Sequence, residues 1–321
     1  MLTRRAALTA MAGLAAAHAA RAQSFPSRSV SIVVPYPAGG PVDTVARLIA
    51  QSATGLGQSI VVDNRGGGSG VIGSAAVARA EPDGHTLVLG TNQTHATNQS
   101  LLKNCPYDAV KYFAPVAGIA DIPHALVVRH GLAVDNVAAL VELAKKTPGA
   151  LTYGSTGNGS ASHLAAELFK LKAGVDLLHV PFRGAAPMTT ELLAGRIDVT
   201  FVTLPSVISY LDAGVLRALA VASPKRAPRL PNLPTLAEQG IAGVEADAWF
   251  ALFAPAKTPQ AVLDRLYGAV SAGLLSDVAS KVITAQGMTL ALRPPAEVAT
   301  WLPGEVTKWA AVIKAAGVVV E

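Results

Sequence analysis

The chain has 321 residues, 26 Lys and Arg against 21 Asp and Glu, a formal net charge of +5, and a hydrophobic share of 51% that is enough to build a large core. Three of the basic residues lie in the first 22, which leaves 23 against 21, a net charge of +2, for the rest. So neutral a body carries no basic stripe for nucleic acid or an anionic membrane, and its one cysteine, Cys105, allows no internal disulfide.

In chain order, Arg4 and Arg5 precede an alanine-rich stretch that ends at Ala20-Arg21-Ala22. This predicts an export signal over residues 1–22, cleaved before Gln23 at a small-x-small site. The arginine pair in "TRRAAL" suits the twin-arginine route, and ordinary signals carry such pairs too. No cysteine follows the cleavage point to take a lipid anchor, and no later apolar run reaches the roughly 18 residues of a membrane span. The 299 residues that remain suggest about two domains.

Short apolar runs then alternate with helix-period stretches. "SVSIVV" (29–34) reads as a buried strand, "PYPAGG" as a loop, and 41–54 as a helix with Val42, Val45, Leu48 and Ile49 on its apolar side. Pro41 fits the first helical position, where its missing N–H is no loss. "SIVVD" (59–63), a glycine-rich loop, a helix near 73–80 and "HTLVLG" (85–90) complete a βαβαβ unit.

A second series starts at "ALTYG" (150–154), with a helix over 160–172, "DLLHV" (176–180), a helix from Pro187, "IDVTF" (197–201), a helix from Pro205 and "LRALAV" (216–221). Two apolar, strand-like stretches, 113–131 and 243–259, link the series. The expectation is two doubly wound α/β domains with parallel sheets, joined by two extended crossings: 23–122 plus 250–321 as one, 123–249 as the other. Ligands of such sheets sit outside the carboxyl ends of strands, so 35–40, 91–95, 154–160, 182–186 and 202–206 are the candidate rims.

Each motif has a plainer alternative. Gly68-x-Gly70-x-x-Gly73 matches a dinucleotide fingerprint in form, yet no acidic residue ends the next strand, where Leu89-Gly90-Thr91-Asn92 stands; a tight structural turn is the better reading. "YGSTGNGSASH" (153–163) lacks the first glycine of a nucleophile elbow and the lysine of a P-loop. What remains for Ser155, Thr156, Gly157, Asn158, Gly159 and Ser160 is an anion site of free backbone N–H groups and hydroxyls at a helix N-terminus. "PYPAGGPVD" offers the same through Tyr36, Ala38, Gly39 and Gly40, against the alternative of an ordinary turn. Arg183 is the one cationic side chain on the second domain's rims, a ligand partner or a solvated charge. His95 and His163 lie near rims and could bond a ligand, although a cap or surface role is commoner. No histidine pair has metal-site spacing, so neither metal nor cofactor is expected. A secreted hydrolase using Ser155 or Ser160 with His163 is the competing class, without an oriented acid–base pair to support it.

"SIVVPYPAGGPVDTVAR", "VVDNRGGGSGVIGSAAVARAEPDGHTLVLG", "TYGSTGNGSASHLAAELFK" and "HVPFRGAAPMTTELLAGRIDVTF" resemble the receptors of tripartite tricarboxylate transporters, the Bug family of solute-binding proteins, over nearly the whole chain after residue 22. The resemblance implies a type II-like Venus-flytrap receptor, monomeric and periplasmic, that is not an enzyme. Such a receptor closes on a small organic acid and delivers it to a membrane permease; a sensor feeding a signalling partner is the variant. The family's ligand loops map onto Tyr36 to Gly40, Ser155 to Ser160, Arg183 and Thr203. The family commonly has Phe-Asp-Asn before Leu-Pro-Ser, whereas Phe201-Val202-Thr203 stands here, so an acidic rim residue is gone. With no acid on any rim, the expected ligand is a dicarboxylate, hydroxy acid or aromatic acid without an ammonium group. Thr91, Asn92, His95 or Thr203 would read its distal end, and Tyr36 and Phe182 would leave room for a ring.

Overall fold

A computed structural model describes residues 25–318; the predicted export signal lies outside them. Eleven strands and ten α-helices among the described residues build two sheets. The first sheet contains β1 (Val30–Val34), β2 (Ile60–Asn64), β3 (Thr86–Thr91), β4 (Phe113–Ile122), β10 (Ala248–Pro255) and β11 (Thr289–Arg293), in the order β11-β4-β10-β3-β1-β2. The second contains β5 (His124–Val128), β6 (Thr152–Ser155), β7 (Leu178–Pro181), β8 (Val199–Thr203) and β9 (Arg217–Val221), in the order β7-β6-β8-β5-β9.

Neither sheet is wholly parallel, and the expectation of parallel sheets is corrected here. β1 runs parallel to β2 and β3, and β6 parallel to β7 and β8. β10 is antiparallel to β3 and β4, β11 to β4, and β5 to β8 and β9. The chain enters each of β5 and β10 directly from the other sheet, with no helical crossover to return it in the parallel sense. The two crossings lie side by side: β4 pairs with β10 as far as Ile122 opposite Ala248, and Pro123 separates β4 from β5.

Helices cover the sheets in sequence: α1 (Pro41–Ser52), α2 (Val71–Ala78), α3 (Asn98–Leu101), α4 (Val137–Lys146), α5 (Ala161–Ala173), α6 (Ala185–Leu193), α7 (Ile208–Asp212), α8 (Gln260–Leu274), α9 (Asp277–Ala285) and α10 (Pro295–Ala316). α1 has Pro41 at its first position and buries Val42, Val45, Leu48 and Ile49 against the first sheet. The glycine-rich turn before α2 is tight for packing reasons: a Cβ on Gly70 would stand 2.5 Å from Thr94 Cγ2, and one on Gly73 2.7 Å from the Arg65 carbonyl oxygen.

α10 packs against β4 of the first sheet and against α5 of the second. Its buried Val298, Leu302, Trp309 and Ile313 belong to one apolar cluster that also holds Val33, Val88 and Phe253 of the first lobe and Leu126, Tyr153 and Phe201 of the second. The lobes therefore share a core behind the crossing strands.

Candidate functional site

A cleft of about 830 Å³ opens between the lobes, and all five candidate rims border it. From the first lobe come Tyr36, Ala38, Gly39, Gly40, Thr91 and Asn92; from the second come Thr156, Ser160, Arg183 and Thr203. Five further candidates, Ser155, Gly157, Asn158, Gly159 and His163, do not reach it. Pro37, Pro41, Val42, Gln93, His124, Ala161, Ser162, Ala185, Ala186, Val202, Ser206 and Phe250 complete the lining.

Four backbone donors of the loop 155–160 are taken up within the loop and the first turn of α5. Thr156 N–H donates to Ser162 Oγ (2.8 Å), Gly157 N–H to Ser155 Oγ (3.2 Å), Gly159 N–H to His163 Nδ1 (3.0 Å) and Ser160 N–H to the Gly157 carbonyl (3.1 Å). The free-amide cradle read from the sequence is thus corrected. Hydroxyls face the cleft instead, with Ser162 Oγ 3.0 Å from both Thr156 Oγ1 and Ser160 Oγ.

Ser155 is fully buried, and its Oγ lies 2.6 Å from His179 Nε2, not from His163. His179 stacks on His163 with ring centroids 3.9 Å apart and on Tyr153 at 4.7 Å. Burial pushes His163 down to about 4, with the neighbouring His179 adding to the shift. This stack buttresses the loop, and a buried hydroxyl there offers a substrate no route to it. His95 is likewise fully enclosed, stacked on Phe253 at 4.2 Å and close to Thr94 Oγ1 (2.8 Å), and contributes nothing to the cleft. Phe182 packs into the second lobe's core and is not among the lining residues.

On the facing wall, Asp43 organises the turn into α1. Its carboxylate accepts from Gly39 N–H (2.9 Å), Arg47 Nε (2.9 Å) and Asn64 Nδ2 (3.0 Å). The Arg47 hydrogen bond leads in holding Asp43 down to about 2. Gly39 N–H therefore points at Asp43 and is not free for a ligand. Tyr36 OH sits between Thr91 Oγ1 (2.9 Å) and Gln93 Oε1 (3.1 Å), and burial pushes it up to about 12, so the phenol stays protonated. Asn92 is only 4% exposed, and its side chain makes no hydrogen bond among the described residues.

Three helices begin at this cleft. Pro41 and Val42 open α1, Ala161 and Ser162 open α5, and Ala185 and Ala186 open α6. α6 starts at Ala185 and not at Pro187 as the sequence suggests, which brings its first turn to the cleft. Each N-terminus presents a partial positive charge and unpaired N–H groups. Arg183 is exposed, has no ion-pair or hydrogen-bond partner among the described residues, and is the one charged side chain on the lining; no Asp or Glu is there. Gln93, His124 and Phe250 escape sequence reading, since His124 and Phe250 sit within crossing strands that look like core.

Fold and site together define a two-lobed binding protein with an electropositive cleft between its lobes. Residues 45–318 match the tripartite tricarboxylate transporter family receptor family. The protein BugT of Bordetella pertussis is 34% identical over 310 residues, which cover 96% of this chain and 94% of BugT. Among solved structures, an R. palustris protein with adipate aligns at TM-score 0.81 and 39% identity over 92% of this chain and 100% of its own. MatC from Rhodopseudomonas palustris with bound malate aligns at TM-score 0.77 and 33% identity over 90% and 100%. This chain belongs to the tripartite tricarboxylate transporter receptor family.

Proposed function

We propose that the protein captures a small organic acid lacking an ammonium group between its lobes, in the periplasm, and hands it to the permease subunits of a tripartite tricarboxylate transporter. The lobes in this reading are 25–122 plus 250–318, and 123–249. One observation carries it: three helix N-termini and Arg183 converge on a cleft that no carboxylate lines. A buried ammonium would need an acidic partner, and the nearest acid, Asp43, is occupied by Gly39, Arg47 and Asn64. An anion needs only what is present. The adipate and malate bound by two relatives are both such acids. Tyr36, Thr91, Asn92, Thr156, Ser160, Arg183 and Thr203 are the side chains assigned to the ligand, Ala38 and Gly40 the backbone beside it, and Gly39 and Gly157 the shape of the turns.

The test is calorimetric titration of purified protein with succinate, malate, citrate, benzoate, aspartate and glutamate, repeated on Arg183→Ala. Ammonium-free acids should bind one to one. Arg183→Ala should weaken them roughly tenfold or more, as loss of a charge-assisted bond does, with an unchanged unfolding midpoint because Arg183 is exposed and makes no ion pair or hydrogen bond among the described residues. Binding of aspartate or glutamate alone would overturn the reading.

A further inference from the structure

The polar side chains that line the cleft are mostly paired with one another: Tyr36 with Thr91 and Gln93, Thr156 and Ser160 with Ser162, and Thr203 with Ser206 (3.0 Å). His124 has no such partner, but its Nδ1 is sealed from the cleft. Asn92, directly after β3, is different. It is 4% exposed, its amide makes no hydrogen bond among the described residues, and neither its oxygen nor its nitrogen is sealed, so both open to the cleft that the residue lines. Buried polar groups are normally paired, so a side chain this enclosed with nothing to bond calls for a partner from the cleft. An amide carries two donors and an acceptor. The partner must therefore both give and receive a hydrogen bond.

The two walls also differ in charge. On the second lobe, α5 and α6 begin with no acid in the first turn, and Arg183 stands just before α6. On the first lobe no lining side chain is charged, and α1 carries Asp43 in its first turn, which partly offsets the positive end of that helix. A carboxylate is better held on the second-lobe wall, and a neutral group on the first.

We propose that the bound acid spans the cleft with its carboxylate against Arg183 and its far end, a neutral carboxamide group, against Asn92, so that the site prefers the monoamide of a dicarboxylic acid to the dicarboxylate itself. The inference rests on the carboxylate reading above. A second carboxylate is acceptor-only; it takes the Asn92 N–H but leaves Oδ1 unpaired and facing a negative charge. A carboxamide presents an N–H and a C=O side by side, and forms two antiparallel hydrogen bonds with the Asn92 amide. A site built around such a pair disfavours the analogue that lacks the donor, because its own acceptor is then left unpaired.

Pairs of nearly equal shape and three lengths test this by calorimetry at pH 8: succinamate against succinate, glutaramate against glutarate, and adipamate against adipate. At least one pair should favour the monoamide by roughly tenfold, the scale of one net hydrogen bond. Asn92→Leu should bring the members of that pair to equal affinity, with an unfolding midpoint no lower than the parent's because the Asn92 amide bonds nothing in the chain. Asn92→Asp, whose carboxylate still accepts from the ligand amide but repels a second carboxylate, should widen the gap. A dicarboxylate bound as tightly as its monoamide in every pair, or a preference that survives in Asn92→Leu, overturns this inference and leaves the carboxylate reading in place. Failure of every acid to bind overturns that reading and the inference with it.

Discussion

At the scale of single residues, Asp43 shows how a charge can serve a site it never touches. Its carboxylate lies behind the loop and holds Gly39, Asn64 and Arg47. The Arg47 hydrogen bond leads in lowering the carboxyl, but the Arg47 side chain is half exposed, so solvent screens that ion pair and the bonds to Gly39 and Asn64 add to it. Asp43→Ala should destabilise the protein by about 1–3 kcal/mol at pH 7, the cost of partly buried donors left unpaired. Because Asp43 is depressed to about 2 in the folded protein and lies near 3.9 unfolded, its contribution is present above about pH 4 and fades as pH falls toward 2. Urea midpoints of the variant and the parent should therefore differ at pH 7 and draw together as pH falls to 2 and below. A gap of the same size at both would show that the carboxylate's charge is irrelevant. The sequence places Asp43 in the first turn of a helix, where it complements the dipole, but its claim on Gly39 N–H is a matter of loop geometry that periodicity does not encode.

At the scale of elements, local pattern was readable wherever one element follows the next. Apolar periodicity and Pro41 place β1 and α1 almost to the residue, and Ser160 caps α5 through His163 N–H (3.3 Å). α4 carries a signal of the same kind, Asn136 accepting from Ala139 N–H at 2.9 Å with Lys145 and Lys146 in the last turn, but it stands in the stretch between the two βα series and is not among the predicted elements. β11 is half-buried throughout and set between two helices, and the alternation of Leu290 and Leu292 in Thr-Leu-Ala-Leu-Arg is too short to stand out from the helical stretches on either side. What no local pattern reveals is which elements pair, and that decides the cleft floor. α10 is the clearest case: from sequence it lies simply within the 250–321 part of the first domain, yet Trp309, fully buried, joins the cores of both lobes and donates from Nε1 to Glu305 Oε2 (3.1 Å), which also accepts from Trp249 Nε1 (3.2 Å). Trp309→Ala should cost about 3–5 kcal/mol. If α10 ties the lobes together, far-ultraviolet and fluorescence unfolding curves of the variant should move down together as one transition. Separation into two transitions would mean that the lobes fold independently and α10 belongs to one of them.

At the scale of the whole molecule, a receptor that closes must bend where its chain crosses, and the structure puts an ionisable group there. Asp247 stands just before β10 beside the Pro123 crossing, takes a hydrogen bond from Ser223 Oγ after β9, and lies in a small pocket with Asp121, Glu245, Arg293, Trp301, Glu305 and Lys308. Asp121 is engaged by Arg293 through both guanidinium arms (3.0 and 2.5 Å), and Lys308 Nζ pairs with Glu305 Oε1 (2.6 Å). The cations are thus committed elsewhere. Burial raises Asp247 to about 7; Asp121 and Glu305 push the same way, and Ser223 and Lys308 oppose them only in part. For a carboxyl raised in the folded state the sign is the reverse of Asp43. The protonated form is at home in the hinge, and stability is lost as pH rises from the unfolded value near 3.9 through about 7. Asp247→Asn keeps an acceptor for Ser223 and removes the charge. It should leave stability nearly unchanged at pH 3 and raise it progressively to pH 8, read as urea midpoints, with the pH slope of the parent flattened between them. Destabilisation by Asp247→Asn at pH 8 would mean that the ionised carboxylate is a structural partner in the hinge, held by Lys308 or Arg293 in preference to their present acids.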